Sequence, residues 1–466
     1  MSHGAIVSTA AAGVFIVSGY LVNVWLGRLL GPEDYGRFGV VISLVTILNI
    51  VQRTGIPQAV ARSTAQAPES ADGTLRRGVE LQTALSLVLA AALALGATTI
   101  AHVLGDPRLV RPLWLAALVL PCYGLLTLLI AFHNGRRSYT RQAVTSTAYS
   151  LGKAVGAVGL AYSYKVPGAV MGYGIAAMVG VMVGWHRLWA PRSPVSFRHL
   201  LKFAAPLSIY AIASTSQWSI DIFFVQAIIA SPDQTGFYAA GQSIARLPVH
   251  MMAGLAAMIL PAIAGAAHRD NATARTASTA LRWSIRIVVP AAAIIMVTAT
   301  PLIELLYSSR DTPAGEVLAL LAPAMGALAV SSVAAGILNG VGRPTASAVI
   351  SVAGVAVTVL GCLVLIPRAG VMGAATATLV GSIVHLGGLL TVLWTSVPGS
   401  VPLSSVARTC LVAAGIALCA RFIPFGDVGL VAACALLSVL TVGLLLVTRE
   451  VTIDELRRLM EGMWTD

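Results

Sequence analysis

The sequence predicts an all-α integral membrane protein: fourteen transmembrane helices, with two parallel six-helix lobes around a central cavity and two further helices at the C-terminus. Three observations carry this expectation. The 466 residues are 57% hydrophobic and 10% charged, with a mean hydropathy of +0.85, whereas soluble domains carry about 25% charged residues. The apolar runs last roughly 20 residues, the length of a helix crossing about 30 Å of hydrocarbon; barrel strands would alternate over about 10. The chain also repeats itself at an offset of about 200 residues.

The same composition excludes soluble enzymes and disordered proteins. A net charge of +12 does not make a nucleic-acid binder, because that needs one clustered basic face and here the charges sit in short breaks between apolar runs. The five cysteines (Cys122, Cys362, Cys410, Cys419, Cys434) lie inside apolar stretches without metal-ligand spacing and are expected as small core residues.

The helices follow from thirteen breaks. In chain order these are Gly31 to Arg37, Arg62 to Gly78, Gly105 to Arg111, Asn134 to Gln142, Ser163 to Pro167, Ala190 to Leu201, Ser231 to Gly236, His268 to Thr279, Ser308 to Gly315, Gly340 to Pro344, Arg368 to Gly370, Val397 to Ser404 and Phe425 to Gly426. Lysine and arginine count eighteen in the even-numbered breaks and the tail, against seven in the odd-numbered ones. By the positive-inside rule, both termini are then cytoplasmic. The first apolar run is too long for a cleavable signal peptide and lacks a small-residue cleavage site. From Arg449 onward the spacing predicts a short amphipathic helix on the cytoplasmic surface, with Thr452 and Glu455 at capping-box positions.

Three matches in one order define the repeat. Pro32-Glu33-Asp34-Tyr35-Gly36 precedes Pro232-Asp233-Gln234-Thr235-Gly236 by 200 positions; Val170-Met171-Gly172 with Val179-Gly180 precedes Val371-Met372-Gly373 with Val380-Gly381 by 201; and Asn134-Gly135-Arg136 lies at a similar spacing from Asn339-Gly340 and Arg343. An offset of six helices keeps both halves in the same orientation, related by an axis along the membrane normal. Residues 1–199 are then an N-lobe of spans 1–6 and residues 200–400 a C-lobe of spans 7–12. Residues 401–466 hold spans 13 and 14 and the tail.

The informative residues are ionisable groups inside spans. Arg28 closes span 1 and can snorkel; Arg286, one turn into span 9, is expected at the interface. Arg53 shares a face of span 2 with Asn49 and Gln52, at i, i+3 and i+4. Lys153 lies mid-span within Gly152-Lys153-Ala154-Val155-Gly156, a small-xxx-small frame for close helix packing. Asp221 in span 7 stacks on Gln217 at i−4, near Trp218, and Arg246 in span 8 stacks on Gln242 in the same way. A mid-span cation costs roughly 2.5–3.5 kcal/mol at the bilayer centre, so Arg53, Lys153 and Arg246 must face an aqueous cavity or pair. Asp221 and Arg246 are equidistant from the turn between them, which sets them at one depth as a structural ion pair or a substrate site. An excess of cations with amides suits an anionic cargo, because arginine matches phosphate oxygens bidentately.

No catalytic pattern is present: there is no Walker A sequence, no His-Glu-x-x-His and no Gly-x-Ser-x-Gly. Gly172-Tyr173-Gly174-Ile175-Ala176-Ala177 lies in a span without a βαβ setting and is rejected as a dinucleotide fingerprint. The reading is of a non-enzymatic transporter without a cofactor.

The stretch Leu26-Gly27-Arg28-Leu29-Leu30-Gly31-Pro32-Glu33-Asp34-Tyr35-Gly36-Arg37-Phe38-Gly39 resembles the opening of bacterial polysaccharide-biosynthesis flippases of the Wzx type. Gly55-Ile56-Pro57 with Ala59 and Arg62 is similar to that family's second helix, and the Asn339-Gly340 region and Thr448-Arg449-Glu450 extend the likeness. The resemblance reaches the wider superfamily that holds the lipid II flippase and the multidrug/toxin (MATE) extruders. It implies flipping of a polyprenyl-pyrophosphate-linked oligosaccharide across the bacterial inner membrane, by alternating access of two lobes, for cell-surface polysaccharide synthesis. It further implies Na⁺ or H⁺ as a coupling ion, and a polysaccharide polymerase or glycosyltransferases as partners. Two alternatives stay open: a cation- or proton-coupled multidrug antiporter on the same scaffold, and a non-transporting scaffold for cell-wall assembly.

Overall fold

The computed structural model describes residues 3–186, 209–252, 270–307, 312–420, 427–448 and 450–451. Regular structure among them is helical, as a lipid environment demands: in hydrocarbon a backbone must satisfy its own hydrogen bonds. The helices are α1 (His3–Thr54), α2 (Ile56–Gln66), α3 (Ala71–Val103), α4 (Val110–Gly135), α5 (Tyr139–Gly184), α6 (Asp221–Ile229) and α7 (Pro232–Ala245), then α8 (Asp270–Val297), α9 (Ala299–Leu306), α10 (Pro313–Gly340), α11 (Pro344–Ser396), α12 (Leu403–Ala420) and α13 (Asp427–Val447). Among the described residues, eight helical segments are long and apolar enough to cross a membrane. Three of these contain a reversal, which makes eleven crossings; α13 adds a twelfth, and spans 7 and 8 lie partly outside the described residues. The protein is a multi-pass, all-α membrane protein. The amphipathic tail beyond residue 451 also falls outside the described residues.

The three reversals are tighter than the sequence suggests, because the helix runs on to a single left-handed residue. That residue is Gly31 in α1 (φ 74°), Lys165 in α5 (φ 51°, ψ −131°) and Gly370 in α11 (φ 55°, ψ −138°). Small residues then let the two arms touch. A Cβ on Gly361 would stand 2.8 Å from that of Ala377, and one on Gly388 2.8 Å from Ile350 Cγ2; in α5, Gly156 meets Gly172 and Gly152 meets Ala176.

These hairpins correct the repeat's register. Lys165 and Gly370 turn with nearly the same angles and lie 205 positions apart. The packing partners Gly156 with Gly172 and Gly361 with Ala377 keep the same offset, as do the left-handed residues Arg137 and Gly342 just past α4 and α10. The match at 201 is therefore slipped by four residues. Four residues are about one helical turn, so the apolar and small positions stay in phase and the slip is invisible in the pattern. At the first turn the offset is 200, so the second copy gains five residues between there and α10.

Contacts divide the chain into two compact units between Ala239 and Ala240. The expected N-lobe boundary at residue 199 follows the repeat, whereas these units follow packing. Within the first unit the breaks sort by parity. Arg37, 6% exposed, holds Asp34 (2.9 Å) and Glu33 (2.6 Å) of its own turn and Asp106 (2.6 Å) of the third break. Arg108 of the third break also reaches Glu33, and Lys165 of the fifth reaches Asp34. At the other end, Asp72 binds Arg136 (3.0 Å) and His186 (3.1 Å), joining even-numbered breaks. The two repeat-related turns also dock on each other in this unit: a Cβ on Gly36 would collide with the Pro232 carbonyl, and one on Gly236 with the Pro32 carbonyl.

In the second unit, Arg286 is buried in protein. Its guanidinium turns inward, 6% exposed, and pairs with Glu450 through Nε (2.9 Å) and through the Glu450 carbonyl oxygen. Ser405 at the start of α12 donates to the same carboxylate. Spans 13 and 14 (α12 and α13), an appendix in the repeat, are thereby pinned to α8. Glu450→Ala leaves a buried guanidinium without its carboxylate and should cost about 3–5 kcal/mol, read as a lowered Tm in detergent. Arg286→Met combined with Glu450→Ala should recover most of it, which a double-mutant cycle measures.

Candidate functional site

The site is built around the end of α1. Gly55 (φ −93°, ψ −93°) breaks the helix, and Pro57 sits in the first turn of α2. Just before that break, Arg53 is exposed, whereas its neighbour Gln52 is fully buried. The two therefore do different work. Gln52 Oε1 accepts from Ser86 Oγ of α3 (2.7 Å), its backbone carbonyl accepts from Gln82 Nε2 (3.3 Å), and its Nε2 donates to Asn49 Oδ1 (3.5 Å). Gly124 of α4 makes room, since a Cβ there would overlap Gln52 Oε1 and Ser86 Oγ. Gln52 thus joins three helices, and of the predicted face only Arg53 is exposed, with Asn49 half-buried.

Lys153 is 6% exposed, and among the described residues no carboxylate lies within ion-pair distance of it or of Arg53. Its ammonium stands over three rings: Phe15 of α1 at 5.0 Å, Tyr149 of α5 at 5.7 Å and Tyr173 of α5 at 5.8 Å. Cation–π attraction, about 2 kcal/mol or more per desolvated contact, replaces the missing counter-ion. Gly19, one turn after Phe15, passes the ammonium at Cβ distance 3.6 Å. Tyr149 also lies in electrostatic range of Arg53. Tyr149 is thus in range of both cations. None of these rings was singled out from the sequence; Tyr149 at i−4 of Lys153 was the readable signal.

Asp221 and Gln217 do not share a continuous helix. Residues 218–220 form a turn, in which Ser219 and Ile220 donate to the Ser216 carbonyl. α6 therefore begins at Asp221, whose Oδ1 accepts from Ile222 N (2.9 Å) and whose Oδ2 accepts from Tyr238 Oη (2.5 Å). Gln217 is fully buried, and Trp218 in the turn is half-buried. In the second unit, Arg246 follows the last residue of α7 and donates to Gln242 Oε1 (2.5 Å), the expected i−4 pairing. Among the described residues, no cluster of three or more His, Cys, Asp or Glu side chains could hold a metal.

The described residues define an all-α, multi-pass membrane protein. The chain belongs to the polysaccharide biosynthesis protein family, whose pattern it matches over residues 25–316. Its fold is similar to that of the lipid II flippase MurJ in an inward closed conformation (TM-score 0.76, 13% identity, 95% of this chain and 98% of that one). It is also similar to an inward-facing multidrug resistance MATE family transporter of the MOP superfamily (0.67, 16%, 83% and 97%) and to the eukaryotic MATE transporter AtDTX14 (0.61, 14%, 87% and 100%). Comparison with curated protein sequences returns no match.

Two substitutions separate packing from charge. Gly124→Val should break the Gln52–Ser86 bond and lower stability by about 1–3 kcal/mol, visible as a reduced Tm. Lys153→Met, close in shape and free of the desolvation cost, should leave Tm unchanged or raise it.

Proposed function

We propose that this protein flips a polyprenyl-pyrophosphate-linked oligosaccharide across the bacterial inner membrane by alternating access, for cell-surface polysaccharide synthesis. The observation that carries this reading is that Arg53 and Lys153 both lie in range of Tyr149, without a described carboxylate within ion-pair distance of either cation. Such a site favours a pyrophosphate over an organic cation. Arg53 offers a planar fork for phosphate oxygens, and the exposed guanidinium would meet a cargo entering from the side toward which α2 runs. Asn49, on the same face of α1 as Arg53, would extend the polar surface of this site. The polyprenyl tail stays in lipid.

Family membership supports the pathway, and the likeness in fold to a lipid II flippase agrees with it. The docked turns at Gly36 and Gly236 suit a transporter closed on one side of the membrane, and the excess of arginine in the even-numbered breaks makes the opposite side cytoplasmic. With the termini cytoplasmic, the membrane potential assists export. Each negative charge moved outward gains about 2.3 kcal/mol per 100 mV, and a doubly charged headgroup gains roughly twice that.

A multidrug or organic-cation antiporter on the same scaffold needs a titratable acid facing its cargo. Asp221 is the one mid-span carboxylate in the sequence reading, and its oxygens are engaged by Tyr238 and by the first amide of α6. That engagement counts against the antiporter. A plugged, non-transporting scaffold would leave Arg53 without a reason to be exposed.

Purified protein in liposomes containing a fluorescent polyprenyl-pyrophosphate sugar tests the proposal, with a membrane-impermeant quencher outside. The inner-leaflet pool should become quenchable with wild type, at least tenfold more slowly with Arg53→Ala, and faster when an inside-negative potential is imposed. Protection of that pool with both proteins, together with organic-cation efflux abolished by Asp221→Asn, would move the assignment to the antiporter.

A further inference from the structure

A feature of the second unit takes no part in the site above. Between the two arms of α11 runs an apolar groove of about 330 Å³, within the range of about 300–1,000 Å³ that ligand sites occupy. Val357, Leu360, Val364 and Leu365 line it from the first arm, and Ala377 and Val380 from the second. The first-arm positions recur at i, i+3, i+7 and i+8, so a single helical face forms that wall. Gly361, on the same face, keeps the arms close enough to share one groove. Leu360, Val364 and Val380 are exposed, as side chains that meet hydrocarbon are.

Counting from the turn gives the depth of the groove. Leu365 and Val357 lie three and eleven residues before Arg368, roughly 4.5 and 16 Å along a helix. Ala377 and Val380 lie seven and ten residues after the left-handed Gly370, roughly 10 and 15 Å. The hydrocarbon of one leaflet is about 15 Å deep, half of roughly 30 Å. The groove therefore spans one leaflet, and Arg368 stands at its surface end.

Arg368 is exposed, and α11 holds no acidic residue and no other lysine or arginine. The hairpin thus offers a guanidinium to a phosphate, with which arginine pairs bidentately, and nothing acidic to an amine headgroup. The internal repeat supplies a comparison. At the offset of 205, Arg368 corresponds to Ser163 and Val364 to Gly159, and the cation at that turn, Lys165, is paired with Asp34 at 3.3 Å. The first copy of the hairpin lacks the arginine and part of the apolar wall, so neither follows from the fold.

We propose that the α11 hairpin binds one anionic phospholipid from the leaflet on the side of the odd-numbered breaks. The lipid phosphate meets the Arg368 guanidinium, and one acyl chain lies in the groove as far as Val357. A groove one leaflet deep matches an acyl chain, because acyl chains set the depth of the leaflet. The site is independent of what the protein transports.

Two measurements decide it. The first is native mass spectrometry of delipidated protein in detergent, offered phosphatidylglycerol, phosphatidylcholine and a polyprenyl phosphate at equal concentration. Wild type should keep a single phosphatidylglycerol, at least about fivefold above phosphatidylcholine, and Arg368→Gln should lose about that factor. Val380→Phe, which fills the groove from an exposed position, should weaken retention at least about threefold. Arg111→Gln, at an exposed arginine of the third break, should stay within about twofold of wild type. Equal retention of the two phospholipids, a loss in Arg111→Gln as large as in Arg368→Gln, or full retention in Val380→Phe overturns the proposal. Preference for the polyprenyl phosphate overturns it too, in favour of a cargo tail.

The second needs no variant. Phosphatidylglycerol carrying a photoreactive diazirine in its acyl chain is reconstituted with wild type in vesicles, and the crosslinked peptides are mapped. Adducts should concentrate within residues 357–380. Adducts spread evenly over the exposed helix faces, as annular lipid alone would give, overturn the bound-lipid site.

Discussion

The first unit depends on one guanidinium. Arg37 stands where a helix leaves the apolar interior, nearly fully buried, and its nitrogens are taken up by Asp34, Glu33 and Asp106. A buried cation stripped of all these partners would be an uncompensated charge in a low-dielectric setting, a loss of about 3–5 kcal/mol. Meeting that demand ties the turn inside α1 to the loop before α4, and Lys165 brings in the turn of α5 through Asp34. The positions of spans 1 to 6 at that end follow from satisfying one side chain. The second unit meets the same demand with Arg286 and Glu450, this time to attach its last two helices.

Where charge is not paired, the fold supplies something else. Lys153 has aromatic faces instead of a carboxylate, and the carboxylate of Asp221 has a tyrosine hydroxyl and a helix-terminal amide. Arg53 alone among the N-terminal intramembrane cations of the predicted site is left exposed. This asymmetry separates a group that stabilises from one that is available to a ligand, and cost arguments from sequence treat both alike.

The candidate site was legible in its charges and not in its neighbours. That Arg53, Lys153 and Arg246 are unusual follows from hydropathy and the cost of a cation in hydrocarbon. The i−4 pairing of Gln242 with Arg246 follows from helical spacing and is present. Gln217 and Asp221 follow the same spacing, yet residues 218–220 turn out of the helix between them. Gln52 was grouped with Arg53 and Asn49 on one face and its amide nitrogen does reach Asn49, yet both its oxygens accept from residues thirty or more positions away. The register of the repeat shows the same limit: a slip of one helical turn preserves hydrophobic phase, and only matching turn angles and touching glycines reveal the offset of 205.

By itself the sequence determined the fold class, the parity of the breaks and the family, because each is written in local quantities. These are the length of an apolar run, the count of arginines in a break, and a motif of consecutive residues. Tertiary structure decided which nitrogen meets which oxygen. Arg286 and Glu450 are 164 positions apart, Arg37 and Asp106 are 69 apart, and His385 finds Ser351 across a hairpin. Side-chain pairing in a low-dielectric interior is set by contact distance, and contact distance is a property of the packed helices alone.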